Sequence, residues 1–126
     1  MGYCSDYSLE TNPELHYDNE LTAKVAEAFM NAQPEYFRSW QEERDFAIRF
    51  VAGFAVLADV KWYECKDDIE KISKQFPDVA FAINRVGEDN DVEAYYAKNG
   101  DVEVQYRDVD TSRPSPQSEK FKELFK

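Results

Sequence analysis

Three soft ligands are available to this chain for metal or thiol chemistry: Cys4, His16 and Cys65. A zinc site needs four donors and is normally built from closely spaced pairs. These three residues are far apart and form no such pair, so a site would need all of them plus a carboxylate. Cys65 therefore reads as a core cysteine and His16 as a surface histidine, and no metal or cofactor is expected. With a single histidine in the chain, no triad-type nucleophile site stands out. Carboxylates are so abundant that a pair at acid–base distance is expected by chance and diagnoses nothing. The chain has four glycines, and no glycine-rich loop precedes a helix to cradle phosphate. Tyr95, Tyr96 and Tyr106 are able to stack nucleobases on a sheet, but Glu93, Glu103, Asp101 and Asp108 beside them repel a polyanion. No enzyme is expected from these residues.

Carboxylates themselves remain as the chemistry-bearing groups. The chain of 126 residues has 26 acidic and 15 basic residues, a net charge of −11. Residues 1–60 hold 11 acids and 4 bases, residues 61–111 hold 13 and 7, and residues 112–126 reverse the sign with 2 and 4. Such a surface repels nucleic acid and anionic membranes but approaches a basic protein surface quickly through electrostatic steering. Solubility alone also accounts for the charge. Eight residues, Asp67, Asp68, Glu70, Glu88, Asp89, Asp91, Asp101 and Glu103, are the candidates for a phosphate-like array that faces a partner's Lys/Arg groove. The competing reading is an ordinary solvated face of helix and loop.

An array of this kind needs a rigid scaffold. Hydrophobic residues are 43% of the chain and aromatics 15%, enough for one folded domain over residues 1–111, followed by a basic tail at 112–126. Residues 3–10 read as a first strand with Tyr3, Tyr7 and Leu9 on one side, ended by Asn12-Pro13. Asp18 or Asn19 caps a helix that runs to about Asn31 and buries Leu21, Val25, Ala28, Phe29 and Ala32. Pro34 suits the start of a second helix over residues 35–51, where Phe37, Trp40, Arg44, Ile48 and Val51 recur at helical spacing and Phe46, Phe50 and Phe54 widen the stripe. Residues 51–60 fit helix or strand, and we place the boundary near Gly53 with a second strand at 56–63. A third helix at 66–76 has Ile69, Ile72 and Phe76 inward, with Asp67 and Asp68 in its first turn, where the helix dipole favours negative charge. Residues 79–86 form a third strand.

Asn99-Gly100 is a strong two-residue hairpin signal between strands at 92–98 and 101–108. Such a turn pairs Ala97 with Val102, Tyr95 with Val104 and Glu93 with Tyr106 on a mostly apolar face. Ala94, Tyr96, Glu103, Gln105 and Arg107 then share the opposite, mostly polar face. After Pro114 and Pro116, residues 118–126 suit a short basic helix with Phe121, Leu124 and Phe125. Its charge fits either docking on the acidic domain or hanging free. The expected fold is α+β, a four- to five-stranded, mainly antiparallel, ferredoxin-like sheet with helices packed on one face.

The run Lys61-Trp62-Tyr63-Glu64, Asp67-Asp68-Ile69 and Ser73-Lys74-Gln75-Phe76-Pro77-Asp78-Val79, with Gly87-Glu88-Asp89 and Tyr95-Tyr96-Ala97-Lys98-Asn99-Gly100, resembles the YubB ferredoxin-like domain family of phage and plasmid proteins. The resemblance covers about residues 56–107. The matching motifs are structural and bring no catalytic residue with them. The family often opens on a strand containing Trp-Cys, where this chain has Tyr3-Cys4, and the aromatic helix at 35–51 has no counterpart. The resemblance implies a mobile-element protein, and small acidic phage proteins often bind host machinery.

The expectation is thus an acidic, anti-CRISPR or other anti-defence protein that inhibits a host protein with a basic nucleic-acid-binding groove. The alternative is a structural or assembly protein that forms a homodimer through Phe37, Trp40 and Phe46. Residues 1–6 lack a signal-peptide pattern, Asp6 stands where myristoylation requires Ser or Thr, and no apolar run spans a bilayer, so a cytoplasmic protein with reduced thiols is expected.

Overall fold

Alternate residues of β1 (Ser5–Asn12) turn inward: Ser5, Tyr7 and Leu9 are buried, while Asp6 and Glu10 face out. Pro13 follows and cannot donate to a ladder, so the strand stops at Asn12. In the computed structural model, which describes residues 5–32, 43–60, 62, 64–87, 92–107 and 116–125, β1 lies inside a five-stranded sheet. The other strands are β2 (Leu57–Val60), β3 (Ala80–Gly87), β4 (Val92–Lys98) and β5 (Asp101–Arg107). Their order is β2-β1-β3-β4-β5, and every neighbouring pair is antiparallel. The chain is an α+β protein with helices layered on this sheet in a ferredoxin-like manner.

Helix α1 (Glu20–Ala32) starts where the Asn19 side chain accepts the Leu21 backbone N–H at 2.8 Å, so Asn19 is the cap. Val25, Ala28 and Phe29 are buried as their spacing predicts, and Thr22 and Ala26 join them. Helix α2 (Glu43–Val51) buries Ala47, Phe50 and Val51. It ends in a Schellman closure: Gly53 N donates to Phe50 O at 3.1 Å and Phe54 N to Arg49 O at 2.7 Å, with Gly53 at φ +84°. That left-handed glycine puts the boundary near residue 53, as the sequence suggests, but it ejects Phe54 from the apolar stripe into solvent. Helix α3 (Cys65–Gln75) buries Ile69 and Ile72 completely.

Phe29 is the meeting point of the main core. Its ring lies edge-on to Phe50, Trp62 and Phe81 at centroid distances of 5.7, 6.2 and 6.2 Å. The hairpin register is as expected, with Ala97 opposite Val102 and Tyr95 opposite Val104. Asn99 and Gly100 supply the positive φ values of 49° and 88° that a two-residue turn matching strand twist requires. The tip is tied to α3, because Ser73 Oγ accepts the Gly100 N–H at 2.9 Å.

One expectation about the sheet needs correction. The face holding Ala94 and Tyr96 does not simply look out to solvent: both residues are buried, with Tyr96 only 4% exposed. A short helix, α4 (Glu119–Leu124), crosses that face and packs Phe121 against Ala82, Ala94 and Tyr96. The main helices cover one face, and the C-terminal segment covers part of the other.

Truncating the ring at the centre of the core leaves a cavity that its aromatic neighbours cannot fill. Phe29→Ala should lower stability by about 3–5 kcal/mol, measured as a shift in the urea midpoint with unchanged slope.

Candidate protein-binding surface

The eight candidate carboxylates separate into different environments. Asp68 is buried at 8% exposure and accepts the Trp62 indole N–H at 2.8 Å. Trp62 also packs on Tyr7 with centroids 5.3 Å apart, and the Tyr7 hydroxyl donates to the Trp62 carbonyl. Asp68 thus orients a core indole. Asp67 is exposed in the first turn of α3, and Glu70 pairs with Lys74 at 3.7 Å. The exposed side of this helix carries Lys66, Lys71 and Lys74 as well, so it is nearly neutral and not a phosphate-like ladder. Glu88, Asp89 and Asp91 lie outside the described residues, as do Phe37 and Trp40. Phe46 is half-buried and packs against the main core.

Asp101 and Glu103 hold the C-terminal segment. The Lys120 ammonium lies 2.6 Å from Asp101, and its hydrogen bond holds that carboxyl below its usual value. Burial pushes Glu103 upward, but N–H groups of Gln117, at 2.6 Å, and Ser118, at 3.2 Å, outweigh it together with the Gln105 amide at 2.7 Å. The net shift is downward. At the far end of α4, the Asn12 side-chain amide donates to the Leu124 carbonyl at 2.6 Å. A six-residue helix has no stability of its own. Burial of the Phe121 ring, worth about 1.5–3 kcal/mol, is the main force that keeps it seated, because an exposed ion pair contributes little.

Exposed carboxylates also gather where the sequence reading did not place them. Among residues 5–32, Asp6, Glu10, Glu14, Asp18, Glu20 and Glu27 are all exposed, against Lys24 alone. Glu10 and Glu14 line an open cleft of ≈ 550 Å³ with Ser8, Asn84, Gly53 and Phe54. Phe54 is 70% exposed there. An aromatic ring beside carboxylates suits a cationic side chain, which gains from both the charge and the ring face. The available signal was a segment count, six acids to one base, which the balance over residues 1–60 diluted.

A second polar cluster lies inside the fold. Arg85 Nε is 2.9 Å from Glu93 Oε1 and its guanidinium donates to Ser5 Oγ at 2.8 Å, while Tyr95 donates its hydroxyl to Glu93. Burial pushes the nearby Cys65 thiol well up, with the Asp68 and Glu93 charges adding to it, so the thiol is protonated at neutral pH and is no nucleophile. Burial likewise raises the Tyr7 and Tyr95 phenols. This cluster compensates charge beneath α3 and ties β1, β3 and β4 together. Among the described residues, no three His, Cys, Asp or Glu side chains gather as metal ligands, and no helix is long and apolar enough to cross a membrane.

No family model, curated protein or solved structure matches the chain. The likeness to the YubB family rests on the quoted residues alone.

Two outcomes test these environments. Glu93→Ala leaves a largely buried guanidinium without its carboxylate and should cost about 3 kcal/mol, read by urea denaturation. Asp101 and Glu103 have lowered values with the tail seated, so their contribution is present above the ordinary carboxylate values of 3.8 and 4.5 and is lost as pH falls through the lowered ones. The Gln117 and Ser118 amides should therefore lose hydrogen-exchange protection below about pH 4.5, ahead of the sheet amides.

Proposed function

We propose that this protein is a non-enzymatic inhibitor of anti-defence type. It acts in the cytoplasm by occupying the basic nucleic-acid-binding site of another protein. The observation that carries this reading is an acidic strip, the exposed Glu10 and Glu14 in an open cleft beside the projecting Phe54, within a segment, residues 5–32, of six exposed carboxylates and one lysine. Glu10 sits on a strand inside the sheet and Phe54 follows a helix closed at Gly53, so this part of the cleft is in place before a partner arrives. Preorganised charge of one sign speeds encounter and selects for the opposite sign. Phe54 supplies an apolar anchor that charge alone lacks. The buried Asp68 and the lysine-rich outer side of α3 move the interface away from α3.

Affinity capture from a bacterial host lysate, at about 0.1 M and about 0.5 M salt, tests the reading. The wild-type chain should retain a nucleic-acid-handling protein at low salt and release most of it at high salt. Glu10→Lys/Glu14→Lys/Glu20→Lys, all at exposed positions, should weaken that retention by about tenfold or more with the fold intact. Equal capture by wild type and variant, or a partner indifferent to salt, would reject the strip as the interface.

A further inference from the structure

We infer that the outer face of β3, β4 and β5 is a docking groove for a short basic amphipathic helix, and that the C-terminal segment is its resident, displaceable occupant. The partner that fits is a protein presenting such a helix, with a cation one residue before a buried aromatic. Only the identity of that partner rests on the function proposed above.

The seated segment displays the recognition chemistry. Ser118 caps α4 by accepting the Phe121 N–H, which places Lys120 beside Asp101 and Phe121 in the pocket of Ala82, Ala94 and Tyr96. The rings of Phe121 and Phe125 sit 6.1 and 5.7 Å from that of Tyr96. Glu103 takes two main-chain N–H groups ahead of the helix, and Asn12 takes a main-chain carbonyl at its end. Much of the recognition is therefore of backbone, one cation and two rings, a pattern that a different chain can supply.

Phe121 stands outside the main core. Phe121 belongs to a separate cluster on the opposite face, with Ala82, Ala94 and Tyr96. A unit with so few buried contacts opens at lower cost than the sheet beneath it. The seated helix carries two lysines and two glutamates, with only Lys120 paired to the exposed Asp101, so a helix with more cations competes with it on charge. The tether gives the resident segment an effective concentration of about millimolar, which protects the groove from weak competitors and yields to a strong one.

The test uses full-length protein and a labelled synthetic peptide of residues 116–126, followed by fluorescence anisotropy. Phe121→Asp should release the tethered segment, and the peptide should then bind this variant at least about tenfold more tightly than wild type. Replacing the same phenylalanine by Asp in the peptide, or adding Asp101→Asn and Glu103→Gln to the protein, should abolish or weaken binding. No binding to the released variant, equal binding to both proteins, or unfolding of Phe121→Asp would each overturn the inference. Hydrogen exchange on wild type provides an independent check: amides of residues 117–125 should be less protected than those of Ile83 and Tyr95, and equal protection would reject displacement. Failure here with salt-sensitive capture intact would remove the groove and leave the acidic strip as the interface, and the reverse pattern would do the opposite.

Discussion

The edge-to-face contacts of Phe29 with Phe50, Trp62 and Phe81 join α1, α2, the approach to α3 and the sheet at one ring. A chain with net charge −11 repels itself in its compact state, and apolar burial must exceed that repulsion before any surface can act. Phe29, Phe50, Phe81, Ile69, Ile72 and Ile83 are fully buried around this point. Aromatic pairs of this geometry add roughly 0.5–1.5 kcal/mol each beyond area burial. The exposed carboxylates are placed by this core, since β1 and α1 each bury one side in it and turn the other to solvent.

Charge in this protein is sorted by environment as much as by sum. Asp68 and Glu93 are inside, one fixing an indole and the other meeting a guanidinium. Asp101 and Glu103 are engaged by the tail. Glu70 is offset within its own helix. Exposed carboxylates are otherwise frequent over residues 5–32, where Lys24 is the one lysine. Sequence counts alone cannot separate these groups, because the same residue type serves inside, at a seam and outside.

Much of the scaffold was legible. Hairpin register followed from Asn99-Gly100 and the period of two, and α3 followed from Ile69 and Ile72. Both signals are local, so no distant contact could overturn them. What resisted was tertiary. Asp68 looked like a first-turn surface acid until Trp62 folded over it, six residues earlier in sequence. Phe54 continued the helical stripe on paper, and a left-handed Gly53 turned it outward. Tyr96 sat on a face assigned to solvent because the helix that covers it comes from beyond two prolines.

Charge density limits what the acidic strip can imitate. Duplex DNA carries one phosphate charge per about 1.7 Å of axis. Asp6 and Glu10 lie four residues apart on one strand, a separation of about 13 Å at the strand rise. A sheet therefore presents carboxylates too sparsely to copy a phosphate ladder, and a helix copies it no better when lysines interleave, as they do on α3. Sparse carboxylates next to an exposed ring favour capture of individual arginine or lysine side chains, each held by one or two acids and an aromatic face. Under the proposed function, a basic groove would be blocked by engaging selected cations within it, with specificity set by where Glu10, Glu14 and Phe54 stand relative to one another more than by the size of the net charge.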